Sequence, residues 1–462
     1  MSEYDAIVIG AGQAGPGVAA ALAGDGRRVL LVEMEQVGGT CLNHGCRPTK
    51  ALRASGVIAH QARRGADYGV QTGEVVVDFP VAIQRVHTLI EGMRTGLRDW
   101  LVGVEGLELV SGTATLVGDP QGRAHRVTVD GETHHTGKVY LDVGGRAAVP
   151  SIEGLDAVEH LTEVELLQLR ELPSHLIVVG GGYIGLEFGQ MFRRFGAAVT
   201  ILAGGGIAAR EDTDVVEALT EILTGEGVAI RNTRPQRVGP SDDGIRVELA
   251  DGSEAVTGSH LLVAAGRHSN LDLLGPEHGL ETDERGFVTI GPRFETSLPG
   301  VWALGDVNGH GAFTHTAYQD SQILLSPSRT VTERVTTYAM FTDPPLGRVG
   351  MGIAEAQASG RSVLVAEVPM ARVSRAQLEG ETAGLMRVLV DGDTEEILGA
   401  TILGLQADDV VQIVGLAIQA GISYPTLRDV LPIHPTVAEF LPSILGSLKP
   451  LEQGDRAGSA SG

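Results

Sequence analysis

The chain has 462 residues, a formal net charge of −23, 43% hydrophobic and 20% charged residues. That length is too great for one compact core, so two to four globular domains are expected. The charge disfavours nucleic acid as a partner, and the apolar run from Leu176 to Phe188 is too short and too glycine-broken to span a membrane.

The N-terminus opens with Ser2, Glu3, Tyr4 and Asp5, without the basic stretch of a secretory signal, so a cytoplasmic location is expected. AIVIG predicts a strand, Gly10 to Gly15 a turn, Pro16 to Ala23 a helix, and RRVLLVE a second strand ending at Glu33. Pro16 suits a first helical turn, where its missing N–H costs nothing. Gly10, Gly12 and Gly15 allow the backbone to approach a pyrophosphate lying on the positive helix N-terminus. Glu33 stands where an acid hydrogen-bonds a ribose hydroxyl. FAD and NAD fit this pattern equally.

The next stretch, GGTCLNHGCRPTK from Gly38 to Lys50, holds both cysteines of the chain, Cys41 and Cys46. Two close cysteines make a poor structural framework, and no further metal ligands stand near them, so redox chemistry is favoured. A small disulfide ring can close between them if the backbone turns, which Gly45 permits. Cys46, just ahead of Pro48, lies near a helix N-terminus, which lowers a thiolate pKa. Lysine is scarce, with only Lys50, Lys138 and Lys449 present, so Lys50 stands out.

Here the sequence resembles the pyridine nucleotide–disulfide oxidoreductases, the family of glutathione reductase, dihydrolipoamide dehydrogenase and mercuric reductase. The family pattern GGTC-x-N-x-G-C-x-P-[ST]-K is matched at every fixed position, and the likeness runs to HPTVAE near the C-terminus. It implies an α/β fold with two Rossmann-like dinucleotide-binding domains and a C-terminal α+β dimerisation domain. The implied boundaries are 1–150 and 266–335 for the FAD-binding and central parts, 151–265 for the NAD(P)-binding domain and 336–450 for dimerisation. Residues 451–462 read as a disordered tail. The implied activity is an FAD-dependent NAD(P)H:disulfide oxidoreductase. Electrons pass from NAD(P)H to FAD, to a Cys41–Cys46 disulfide and on to a small disulfide, or run backwards from a dithiol. By the same resemblance Cys46 is the flavin-proximal, charge-transfer sulfur and Cys41 the interchange sulfur that attacks substrate. Gly39 and Thr40 join the cofactor site, and Lys50 lies by the flavin N5, paired with Glu187.

A second copy of the strand–turn–helix pattern begins at His175, with LIVVG, a turn from Gly180 to Gly185, the helix LEFGQMFRRFG and the strand AAVTIL. Two such copies make chance a poor explanation. Gly180, Gly182 and Gly185 are assigned to the nicotinamide nucleotide, and Tyr183 matches a family position covering the nicotinamide pocket. The family's selectivity position departs from both usual forms, reading Ala203-Gly204-Gly205-Gly206. Arg210 matches a later basic position found in both classes. With no acid to repel a 2′-phosphate, NADPH is slightly preferred.

Val127 to Val143 reads as short strands turning at Asp130-Gly131, and Leu261 to Asn270 as a strand and turn in which Gly266 and Arg267 sit. GVWALGDVNG, with Gly305 and Asp306, resembles the family's second FAD motif, whose aspartate bonds the ribityl chain. Beyond Tyr338, RVLVD and ILGATIL predict strands and Asp408 to Ala420 a helix. His434-Pro435-Thr436 with Glu439 resembles the catalytic dyad: histidine titrates near neutrality and can move the thiol proton, with Glu439 orienting it. In the family this dyad comes from the partner subunit, which implies a homodimer. His310 and His315 have no assigned role.

His44 and Arg47 flank the cysteines where relatives carry apolar or small residues. A cation beside Cys46 favours its thiolate; exposure at a dimer cleft explains both residues equally well. Mercuric reductases carry a further C-terminal cysteine pair, which this chain lacks. The alternatives are a reductase of metal ions or reactive oxidants and, in another class, a flavin-bound redox sensor or complex subunit. An intact His434–Glu439 pair argues against a sensor.

Overall fold

The computed structural model describes residues 4–452. The chain divides into two compact units, one running through Pro173 with His260–Arg334 added, the other made of Ser174–Ser259 and the segment from Val335 onward.

The first unit is built on a five-stranded parallel sheet in the order Val301–Ala303, Val139–Leu141, Ala6–Ile9, Val29–Glu33, Leu107–Ser111. Its central strands, AIVI and VLLVE, are buried at every position, as expected of a parallel sheet covered on both faces. The Gly15–Gly24 helix lies on the sheet through Val18, Ala19, Leu22 and Ala23, with Pro16 in its first turn. Pro80 likewise occupies the first turn of the Phe79–Val102 helix, which Asp78 caps by accepting from Val81 N at 3.1 Å. The other face is closed by a three-stranded antiparallel sheet, Ala114–Val117, His125–Val129 and Glu132–Thr136, whose Leu116, Val127 and Val129 join Ile7, Ile9 and Leu30 in one core. Asp130 and Gly131 both take positive φ (46° and 94°) between two of these strands, the conformation of a tight primed hairpin turn.

In the second unit, Ala229–Arg231, Ala198–Leu202 and His175–Val179 are neighbouring parallel strands, and the Tyr183–Phe195 helix follows the second glycine turn. A six-stranded antiparallel sheet follows, ordered Thr337–Met340, Leu346–Gly350, Ile397–Leu403, Leu385–Asp391, Val363–Pro369, Lys449–Pro450. Its two long central strands are wholly buried, and the Ala407–Gln419 helix packs Val410, Val411 and Val414 against them. Arg387 is buried mid-strand; it bonds Asp212 at 2.8 Å and also pairs with Asp214 and Glu367, so the charge is not left uncompensated. The expected disordered tail lies, from residue 453 on, outside the described residues. Leu451 N still donates to Val363 O at 2.9 Å, so the chain is tied to the sheet at that point.

Candidate active site

The first glycine turn cannot carry side chains at its fixed positions. A Cβ on Gly10 would overlap Asp142 O, one on Gly15 would overlap Gly10 O, and one on Gly12 would stand 2.8 Å from Asp142 Oδ2. Gly10 also has φ +100°, which only glycine adopts without strain. Gly39, at φ +54°, brings the next loop against this turn: a Cβ there would lie 2.9 Å from Gly12 Cα. Gly38 N donates to Ala11 O at 2.6 Å and Gln13 Nε2 to Gly38 O at 2.9 Å, while Thr40 is half-buried beside them. Glu33 is buried at the strand end and accepts from Ala11 N (2.8 Å) and Glu35 N (2.9 Å). Burial pushes its carboxyl up, against the pull of those bonds.

The second acidic position stands on the single helical turn Gly305–Asn308. Gly305 has φ +71°, and its N–H donates to Asp320 Oδ2 at 2.8 Å, with Asp320 held by Arg334. Asp306 is half-buried, 3.8 Å from Arg267; burial raises its carboxyl, with Arg267 opposing and the Cys46 and Asp320 charges adding to the rise. Arg267 follows Gly266 (φ +132°) and bonds Glu163 at 2.8 Å and Gly145 O, so it braces the turn. His315 stacks on Phe313 with ring centroids 5.4 Å apart. This cradle suits the pyrophosphate and ribityl parts of FAD: two glycine turns, a helix end and two acids converge on it. One portion is already taken, because Ala14 N and Gly15 N donate to Asp142, a residue the sequence reading did not select.

Both cysteines are thiols. Cys41 is buried in the short Gly39–Asn43 helix, and Cys46 is exposed as the first residue of the 18-residue Cys46–Arg63 helix. Gly45 joins them; a Cβ there would come within 3.0 Å of Thr40 O. Thr314 Oγ1, from the first position of the Thr314–Leu325 helix, lies 3.2 Å from Cys46 Sγ. The Cys41 thiol is pushed strongly up, first by its bond to Cys46, then by burial and the Cys46 charge, with Thr314 and Arg47 opposing. The pair is therefore asymmetric, with the proton held on buried Cys41 and Cys46 exposed at the helix start. Asn43 fixes the loop between them: its Nδ2 donates to Gly39 O (3.0 Å), Gln36 O and Val37 O (3.2 Å each), and its Oδ1 accepts from Arg94 at 3.0 Å. The buried Asn of the CLNHGC run was the available signal for this role. Arg47 is exposed, with Nη1 3.5 Å from Met93 Sδ, and His44 Nε2 lies 3.8 Å from Glu35. Lys50 is half-buried one turn along the cysteine helix.

In the second unit Gly180 has φ +121°, a Cβ on Gly185 would overlap Gly180 O, and Gly182 opens onto space at the N-terminus of the Tyr183–Phe195 helix. Tyr183 is the first helical residue, half-buried. Glu187, one turn on, is buried and accepts from Phe341 N at 2.8 Å. Arg210 is exposed, and its carbonyl accepts from Arg348 at 3.0 Å. The side chain of Arg234, unselected from the sequence, lies across Gly204, where a Cβ would overlap its Cγ. At the C-terminal end His434 Nδ1 bonds Glu439 Oε2 at 2.8 Å; the His434 side chain is 75% exposed and that of Glu439 13%. Thr436 accepts from Glu439 N at 3.1 Å and donates to Ile433 O at 2.9 Å, which holds the carboxylate in place.

Residues 4–321 match the family model of pyridine nucleotide-disulphide oxidoreductases, and residues 336–443 match that family's dimerisation domain. The chain belongs to this family. The pyridine nucleotide–disulphide oxidoreductase RclA of Escherichia coli is 33% identical over 461 residues, covering 97% of this chain and all of the relative. A mercuric reductase of Streptomyces lividans is 32% identical, covering 95% of this chain and 94% of the relative. The solved Cu(II) complex of the HOCl-induced flavoprotein disulfide reductase RclA from E. coli superposes with a TM-score of 0.86 at 32% identity, over 97% of this chain and 100% of that one. The protein is thus an FAD-dependent oxidoreductase that uses a pyridine nucleotide, with a dimerisation domain that supports a homodimer. No helix among the described residues is long and apolar enough to cross a membrane.

Proposed function

We propose that this enzyme passes an electron pair from NADPH, through bound FAD, to a Cys41–Cys46 disulfide and from there to a small disulfide. The observation that carries the reading is the asymmetric thiol pair, with Cys46 at a helix N-terminus beside Thr314 and Cys41 protonated. Gly10, Gly12, Gly15, Glu33, Gly39, Thr40, Gly305 and Asp306 would hold FAD, with Gly266 and Lys50 alongside, and bound there it would supply two-electron transfer between the nicotinamide nucleotide and the cysteine pair. The second glycine turn, Tyr183, Glu187 and Arg210 would serve the nicotinamide nucleotide. Arg234 lying over Gly204 supports NADPH, since a guanidinium suits a 2′-phosphate.

In the reduced pair Cys41 carries the proton that His434 of a second copy removes. The Cys41 sulfur attacks the substrate disulfide; one substrate thiol leaves with the proton from His434, and a mixed disulfide remains on Cys41. Cys46 attacks Cys41, expels the second substrate thiolate and restores the disulfide. Glu439 orients the imidazole and stabilises its charged form. A pair that must cycle between thiol and disulfide suits the reducing cytoplasm.

A second reading replaces the disulfide by a metal ion or reactive oxidant. It is favoured by the likeness to a relative solved with Cu(II) and described as HOCl-induced. A panel of glutathione disulfide, lipoamide, cystine and Cu(II), followed by NADPH and NADH oxidation, separates the two acceptors and the two nucleotides. The Cys41→Ser enzyme keeps flavin reduction and loses disulfide turnover; retained disulfide turnover sinks the dithiol mechanism.

A further inference from the structure

We infer that Asp142 is a resident acid at the N-terminus of the Gly15–Gly24 helix that must be protonated when the pyrophosphate of FAD arrives there, so that cofactor binding takes up a proton. The inference rests on the reading that FAD occupies the Gly10–Gly15 turn.

Asp142 follows the Val139–Leu141 strand, and its own N–H donates to Ile9 O at 2.8 Å, which fixes it beside the turn. Its Oδ2 accepts from Gly15 N at 2.7 Å and Ala14 N at 3.1 Å. These are the opening N–H groups of a helix whose own N-cap residue, Ala14, offers no capping side chain. A carboxyl 127 positions away in sequence therefore satisfies the helix end, the place where this kind of turn binds phosphate. The group also stands where both glycine turns meet. A Cβ on Gly12 would lie 2.8 Å from Oδ2, and one on Gly305 3.1 Å from Oδ1.

Asp142 is 6% exposed. The charged groups facing it are Glu33 at the end of the second strand and Asp306 on the Gly305–Asn308 turn, both acids. Arg267 is directed toward Asp306 and Glu163, and Arg334 toward Asp320, whose carboxylate accepts from Gly305 N. Burial, the largest effect, with Asp306 and Glu33 adding, raises this carboxyl to about 8 in spite of the two backbone bonds. A dianionic diphosphate placed at the same helix end adds further like charge and competes for the same N–H donors. The ionised carboxylate is then the species the site cannot keep. A neutral carboxyl, having taken a proton from solvent, can donate to a phosphate oxygen instead.

The test uses apoprotein and free FAD, followed by flavin fluorescence, with proton uptake read by a pH indicator in weak buffer. For the wild type, Kd should rise about fivefold from pH 8 to pH 9 and stay nearly level from pH 6 to pH 7, with uptake approaching about one proton per FAD near pH 9. The isosteric Asp142→Asn protein should bind FAD with neither the rise nor the uptake. A wild-type Kd level across pH 7 to 9, or the same slope in both proteins, overturns the inference while FAD binding at one per chain upholds the flavin site. Failure of both proteins to bind FAD at any pH removes the site reading and the inference together.

Discussion

At the scale of single residues, the site combines short motifs with side chains supplied from far along the chain. The glycine turns, CLNHGC and HPTxxE are local strings, and each could be read because its chemistry needs fixed spacing. Thr314 reaches Cys46 across 268 positions and Asp142 reaches Gly15 across 127, so no spacing rule exposes either. Arg234 escaped notice for the same reason, since only the fold lays it over Gly204. Thr314→Val should weaken the Cys46 thiolate by removing a hydrogen bond to a charged group, about 1.5 kcal/mol or about one pH unit. The pH midpoint of thiolate absorbance in the reduced protein reads this directly; an unmoved midpoint denies Thr314 the role. Asp142 makes a second prediction. Its folded carboxyl titrates at about 8, whereas an unfolded aspartate titrates near about 4. Between those values the folded apoprotein keeps a proton that the unfolded chain releases, so stability falls as pH rises through the window. The urea midpoint of apoprotein should decline from pH 5 to pH 8, and the decline should be smaller in Asp142→Asn.

At the scale of elements, the strands AIVI and LIVV were legible because each is an unbroken apolar run ended by a glycine turn, whereas Leu107–Ser111, carrying Glu108, was not. Burial on both faces leaves no alternation to confuse the reading. The helix at Cys46 was foreshadowed by Pro48. The buried ion pairs that tie elements together were not, since a charged residue in an apolar stretch reads as exposed until its partners are known. Arg194 is such a case. It lies buried on the Tyr183–Phe195 helix, bonded to Glu226 at 2.7 Å just past the Thr213–Gly225 helix, and also paired with Asp343. Gln190 joins the same node by accepting from Asp343 N at 2.8 Å. Arg194→Leu leaves two acids without their cation and should destabilise the protein by about 3–5 kcal/mol, measured by chemical denaturation of the holoenzyme. A change below about 1 kcal/mol would mean the node is solvated like a surface pair.

At the scale of the molecule, the duplicated nucleotide-binding pattern announced an α/β protein and the change of character after Tyr338 a separate segment, which the family resemblance made a dimerisation domain. The sharing of a site between copies is an expectation carried by the family resemblance, not by any residue pattern of one chain. His434 is open to solvent, and Leu431 and Ile433 beside it are 93% and 78% exposed, a pattern that fits use by a second subunit. Mixing Cys41→Ser and His434→Ala enzymes should therefore restore about a quarter of wild-type disulfide turnover after random exchange, because each hybrid dimer regains one intact site. No recovery despite demonstrated subunit exchange would place the acid–base pair within one chain. The central claim, that Cys46 is the sulfur in electronic contact with flavin and Cys41 the one that meets substrate, is tested most directly by anaerobic titration of the holoenzyme with one equivalent of NADPH. A long-wavelength charge-transfer absorption should develop in the wild type on this reduction, stand in Cys41→Ser before any NADPH is added and bleach as its flavin is reduced, and be missing from Cys46→Ser throughout. The same band in Cys46→Ser, or its absence from oxidised Cys41→Ser, would contradict the account.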